Sequence, residues 1–302
     1  MKKLFKGGFF MPKIAQIVDA ASNLPSEILE KYNIVKIPFY ITFDEKEYLV
    51  QGKDYSDEEF YKKMAENPDK APKTAAPNPE DWFNAFKETY DKGFKEIIVT
   101  TISSDLSASY QNANIAKNDF TEKYQDSKIT LIDTRTCTCG QAALEIKVAQ
   151  IIKSGKKYFE EISKIAKESI KKTSTIFTVK TLKYMKAGGR IGGATQFVGT
   201  LLNIKPIMEF VNGVVKPIKA VRSRRKSLEE MVNIISDRIK DPKKAIICTR
   251  NAICKEDEEY MIEKLKEKLN YEGEIYSGTL GAVIGAHSGP GAIGIGFTEL
   301  EE

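Results

Sequence analysis

A chain of 302 residues is long enough for about two domains at roughly 150 residues each, and can bury sizeable cores without staples. Hydrophobic residues at 41% and charged residues at 29% exclude a disordered or fibrous protein. With 47 basic against 42 acidic residues the net charge is only +5, a balance that argues against a dedicated nucleic-acid binder with an unopposed basic patch.

The four cysteines (Cys137, Cys139, Cys248, Cys254) are too few for a disulfide scaffold. Their spacing fits no zinc site built from C-x2-C pairs, so buried thiols in a reducing cytosol are expected. The single histidine, His287, excludes a mechanism needing two imidazoles and any multi-histidine metal site. No metal and no cofactor are expected.

In chain order, Met1 to Phe10 has a basic start but only broken apolar pairs, too short for a signal-peptide core, and reads as a leader or tag. Ile14 to Val18 reads as a strand, followed by a polar turn through Asn23. Ile34 to Phe43 is a second β-branched and aromatic run that continues into a charged hairpin-like stretch to Val50. Ser56 and Glu59 make a capping box for a helix to about Asn67, and Asn78 with Pro79 starts another that Gly93 ends. A buried strand Ile97 to Thr101, a helix from about Leu106, a strand Ile129 to Ile132 and helices over about Gln141–Ser154 and Tyr158–Lys171 complete this half. Such alternation predicts a parallel sheet covered on both faces.

The second half changes rhythm. Ser174 to Val179 reads as a strand and Thr181 to Lys186 as a short helix, then a glycine turn and an apolar helix through Leu202. Ile204–Val211 and Val214–Val221 flank Asn212-Gly213, a strong hairpin signal. Helices follow at about Ser227–Ile239 and Glu256–Leu269, with strands at Ala245–Thr249, Glu274–Tyr276 and Ala282–Phe297. The fold class is therefore α/β: a parallel-sheet domain over 11–172 and a mixed-sheet domain over 173–302. The uncharged stretch Ser277–Phe297 holds seven glycines and reads poorly as a membrane helix, so a soluble cytoplasmic protein is expected.

Four clusters carry chemistry. The loop Lys73–Pro79 places the Thr74 hydroxyl before a helix, where ligands of open α/β sheets sit. In Thr100–Tyr110, seven of eleven residues bear hydroxyls at a strand-to-helix junction, more than capping needs, which suits an anion or carboxylate. Lys183–Gly193 combines four glycines with Arg190, whose fork suits a carboxylate or phosphate. Gly285–Gly294 satisfies G-x-G-x-x-G by letter, but too little chain follows for a dinucleotide unit. It leaves His287 in a glycine-rich loop after an apolar strand.

Taken together, IVDAASNLP, PKTAAPNPEDW, SSDLSASYQNA, LIDTRTCTCGQAAL, LKYMKAGGRIGG, LLNIKPIMEFVNGVVKPIKAVR and GAVIGAHSGPGAIGIGF resemble the DegV family, the fatty-acid-binding proteins of bacterial lipid metabolism. The resemblance runs from about residue 14 to 298. It implies a two-domain DegV-like fold holding a long-chain fatty acid, its carboxylate bound by Thr74 and Ser107 with Ala108 and His287. Arg190 and Arg222 map to supporting or kinase-facing arginines. It further implies a carrier without catalytic residues of its own. Such a carrier serves the ATP-binding subunit of a fatty acid kinase that makes acyl phosphate for phospholipid synthesis, with peripheral membrane contact for lipid exchange. Ala75, Ala108 and Ala20-Ala21 stand where the family usually has hydroxyls or glycine, which raises the share of backbone amides. Ile191–Ile204 and Ile176–Val179 are the expected tail-lining segments. Two other readings remain open: a Ser107/His287 hydrolase acting on a lipid or acyl ester, and a ligand sensor signalling through the basic run Arg222–Lys226.

Overall fold

A computed structural model describes residues 13–197 and 204–299. Met1–Phe10 and the far end of the apolar helix expected to reach Leu202 lie outside the described residues.

The first half runs β1 (Ile14–Asp19), α1 (Ser26–Tyr32), β2 (Val35–Ile37), β3 (Tyr40–Thr42), β4 (Leu49–Val50), α2 (Asp57–Glu66), β5 (Lys73–Ala75), α3 (Pro79–Asp91), β6 (Glu96–Thr101), α4 (Ser109–Lys123), β7 (Lys128–Asp133), α5 (Thr138–Ser154) and α6 (Phe159–Ser169). Strands β2-β1-β6-β7 form a sheet in which every pair is parallel. Its faces explain the apolar runs. Trp82, Phe86 and Phe120 close one side, and Val148, Phe159 and Ile162 the other. The caps form as expected: Ser56 and Glu59 bond reciprocally at the start of α2, as do Asn78 and Asp81 at the start of α3.

The run Ile34–Phe43 is not one strand. Pro38 lacks an N–H and stands between β2 and β3. Strand β2 stays in the parallel sheet, while β3 pairs antiparallel with both β4 and β5 in a small separate sheet. A helix also forms at α1, directly after the expected turn, whose last residue Asn23 takes a left-handed φ of 53°.

The second half runs β8 (Ser174–Thr178), α7 (Lys183–Ala187), a short 3-10 helix at Gly192–Phe197, β9 (Lys205–Val211), β10 (Val214–Val221), α8 (Arg224–Arg238), β11 (Ala245–Asn251), α9 (Lys255–Leu269), β12 (Ile275–Tyr276), α10 (Ala282–Ser288) and β13 (Ile293–Glu299). The sheet order is β10-β9-β8-β13-β11-β12, antiparallel except for the β11–β12 pair. Helices α8 and α9 cover one face through Leu228, Met231, Ile235, Met261 and Leu265.

The expected strand Ala282–Phe297 is corrected: its first part is α10, and only Ile293 onward is extended. Glycines at 281, 285 and 289 recur at helical spacing. They mark a close approach, since a Cβ on Gly285 would lie 2.5 Å from the Tyr61 hydroxyl. Helix α5 joins the two halves. Its small residues Cys139, Ala142 and Ala143 share one core with Val18 of β1 and Ile246 and Cys248 of β11. A helix apolar on most of its faces is buried, and this one is.

Candidate ligand cavity and its polar mouth

A cavity of about 280 Å³ lies where the loops following the parallel strands meet the second sheet, the usual ligand position in open α/β sheets. Phe39, Ile102 and Leu106 line it from the first half, with Phe177, Phe210, Val215, Val283 and Ile284 from the second. Polar atoms gather on Thr74, Ser107, Ala108, Arg190 and His287. Five of the six residues assigned to the site from sequence therefore line one cavity. Arg222 does not; it is exposed just beyond β10.

Thr74 is not in a loop but in β5, where pairing with Ile41 fixes its direction. His287 is corrected from a loop to the last turn of α10. Its Nε2 lies 2.8 Å from Thr74 Oγ1. Gly188 makes that seat possible, because a Cβ there would come 2.0 Å from His287 Nδ1. Burial, helped by the Arg190 charge, holds the imidazole down at about 4, so it is neutral near pH 7. Nδ1 has no hydrogen-bond partner. Placing the proton on Nε2 leaves only a lone pair unmatched, so His287 donates to Thr74 and the Thr74 hydroxyl keeps its own hydrogen for a ligand oxygen.

Ser107 and Ala108 sit on the turn before α4, where Ser107 N donates to Ser103 O. The Ser107 oxygen accepts from Ser109 N at 3.2 Å, which leaves its hydrogen available. Arg190 spans the mouth, donating to Leu106 O at 3.1 Å and Gly188 O at 2.6 Å. The site thus offers hydroxyls, helix-start amides and one cation above an apolar interior, a fit for an amphiphile with one anionic head.

Sequence reasoning missed the group that holds this mouth in place. Asp19, fully buried, accepts from Ile102 N at 2.9 Å and Ser109 Oγ at 2.7 Å through one oxygen. Its other oxygen accepts from Gln141 Nε2 at 2.8 Å and Ala21 N at 3.3 Å. Its only signal was an acid ending a buried strand. The expected tail-lining segments are also corrected. Of Ile176–Val179 only Phe177 faces the cavity, because the pleat turns Ile176 into the core under α8. Ile191 is buried in a neighbouring core instead, and residues 198–203 are outside the described chain. Cys137 lines the cavity as a thiol that burial pushes up to about 12, consistent with an inert packing role. Among the described residues no helix is long and apolar enough to cross a membrane.

A family profile described as "Uncharacterised protein, DegV family" matches residues 13–300. A DegV domain-containing protein of Clostridium perfringens is 32% identical over 283 residues, covering 93% of this chain and 97% of its own. Among solved structures, a stearic-acid-binding protein from Eubacterium ventriosum matches with a TM-score of 0.88 at 27% identity, over 96% of this chain and 98% of that one. A fatty acid binding protein from Bacillus subtilis, DegV, matches with a TM-score of 0.84, also at 27% identity, over 96% and 100%.

Proposed function

The chain belongs to the DegV family, and from that premise we propose that it carries a long-chain fatty acid and presents the carboxylate to an ATP-dependent fatty acid kinase. The carrying observation is the division of one cavity into a polar mouth and an apolar interior. Each buried methylene contributes about 0.8 kcal/mol, so the tail supplies affinity. The head group contributes orientation, and its desolvation offsets part of the gain. Arg190 at the mouth and exposed Arg222 are the cations a kinase subunit or an anionic membrane surface would meet. Acyl phosphate made there would feed phospholipid synthesis in the cytoplasm.

The hydrolase reading has less support. His287 Nε2 is engaged by Thr74 rather than Ser107, and Nδ1 lacks the acidic partner that orients a catalytic imidazole.

Native mass spectrometry of the protein purified from a bacterial host is expected to show a bound C16–C18 fatty acid. Protein that arrives empty and takes up neither added oleate nor palmitate would defeat the carrier reading. Ser107→Ala is expected to weaken oleate binding by about 1.5–3 kcal/mol, the worth of a hydrogen bond to a charged group. Titration calorimetry on delipidated protein measures it, and unchanged affinity would move the head-group site elsewhere.

A further inference from the structure

The tip of the β9–β10 hairpin is fastened to the loop that carries Ser107. Asn212 and Gly213 occupy left-handed positions, with φ of 50° and 88°, as a two-residue turn that twists with its strands requires. The Asn212 carbonyl accepts from Arg135 Nη2, and the Gly213 carbonyl accepts from Ser103 Oγ at 2.9 Å. The seat is tight: a Cβ on Gly213 would come within 2.6 Å of both Arg135 Cζ and Ser103 Oγ. Arg135 itself stands at a φ of 56°. It is aimed by Asp105 at 2.5 Å and Asp133 at 3.2 Å, and it donates to Ser104 Oγ at 3.0 Å.

The strands behind this tip are a wall of the cavity, through Phe210 and Val215. Strand β10 is the edge of its sheet, and its register with β9 shifts between Pro217 and Lys219. An edge strand with an interrupted ladder is the softer part of a sheet. At about 280 Å³ the cavity is just below the roughly 300–1,000 Å³ usual for small-ligand sites, so a long alkyl chain needs a wall that yields.

We propose that Arg135 and Ser103 are positioning residues that latch this wall to the carboxylate loop, and that release of the latch sets how fast a fatty acid enters and leaves. The proposal rests on the fatty-acid reading for its ligand and on the hairpin geometry for its mechanism. The latch bonds backbone carbonyls; its Ser103 arm is buried, but its Arg135 arm is exposed, with a third of that side chain open to solvent. It is therefore weak enough to open on the timescale of exchange. Loosening it lowers the barrier in both directions, a signature that simple damage to the pocket lacks.

Stopped-flow fluorescence with cis-parinaric acid tests this on wild type, Arg135→Gln, Arg135→Lys and Ser103→Ala. Arg135→Gln is expected to raise the dissociation rate about tenfold and to raise the association rate alongside, so that Kd moves less than either rate. Arg135→Lys, which keeps the charge and a donor, is expected to recover part of the effect. In the ligand-free protein, hydrogen exchange should quicken across Lys205–Val221 but not across Ala245–Asn251. Unchanged rates, or an affinity loss due wholly to slower association, would overturn the latch. Should Arg135→Gln fail to fold, Ser103→Ala carries both measurements. A wild type that takes up no probe would defeat the fatty-acid reading and the exchange-gating role together. Unchanged hairpin exchange in the variants would defeat the latch even where fatty acid binds.

Discussion

Asp19→Ala is expected to destabilise the protein by about 3–5 kcal/mol and to cost most of its fatty acid affinity. The carboxylate accepts from Ile102 N, Ser109 Oγ, Gln141 Nε2 and Ala21 N, and it is wholly buried. Alanine cannot replace those acceptors, and a single water could accept from only some of the four donors at once. Each orphaned buried donor costs about 1–3 kcal/mol, with less than full additivity because the donors share one site. The loop bearing Ser107 and Ala108 hangs between Ile102 and Ser109, so the head-group donors lose their register with Thr74 as well. Asp19→Asn should fall between wild type and alanine, since its amide keeps one acceptor oxygen but turns an NH2 toward two donors. Urea unfolding and fatty acid titration on the same preparations measure both effects. A loss under about 1 kcal/mol with affinity intact would show that the loop is held by something else.

Glu145 is expected to make the protein less stable as pH rises, and Glu145→Gln to remove that dependence. The side chain is wholly buried, with Oε1 accepting from Thr100 Oγ1 at 2.9 Å and Gln141 Nε2 at 3.0 Å. Burial pushes its carboxyl up to about 8, and the charge on neighbouring Asp19 acts in the same direction. In the unfolded chain the group ionises near 4.5. Between those values the folded protein retains a proton that the unfolded chain has released, so stability declines with rising pH across the window and levels off above it. A tenfold change in the folding constant per pH unit amounts to about 4 kcal/mol between pH 5 and pH 8. Glutamine stays neutral and keeps an acceptor for Thr100. Unfolding curves at several pH values should therefore show the variant gaining on wild type by about that amount toward pH 8. A constant difference would mean an ordinary carboxyl.

These two acids also mark where sequence reading stopped. Helix starts at Ser56 and Asn78, the Asn212-Gly213 hairpin and the alternation through Asp133 were legible because each depends on neighbours within a few residues. The hydroxyl-rich stretch before α4 stood out for the same local reason, and Ser107 and Ala108 of that stretch line the cavity. Asp19 looked like a turn residue, since its partners at 102, 109 and 141 come from the β6–α4 loop, α4 and α5. The stretch from Ala282 looked like a strand with a glycine-rich loop at His287, because glycine is ordinarily a helix breaker. Close packing of Gly281 on Asn23, Gly285 on Tyr61 and Gly289 on Tyr184 makes small residues the condition for a helix there.

Hydrophobic period, caps and turn residues settle the α/β class and place most strands and helices, because they act through bonds and contacts between near neighbours in the chain. The mouth of the cavity is of another kind. Thr74 and His287 meet across 213 positions, and Arg135 reaches the hairpin tip across 77. Those contacts exist because glycines at 188 and 213 let backbone come close to side chains from distant elements, a condition that no window of local sequence contains.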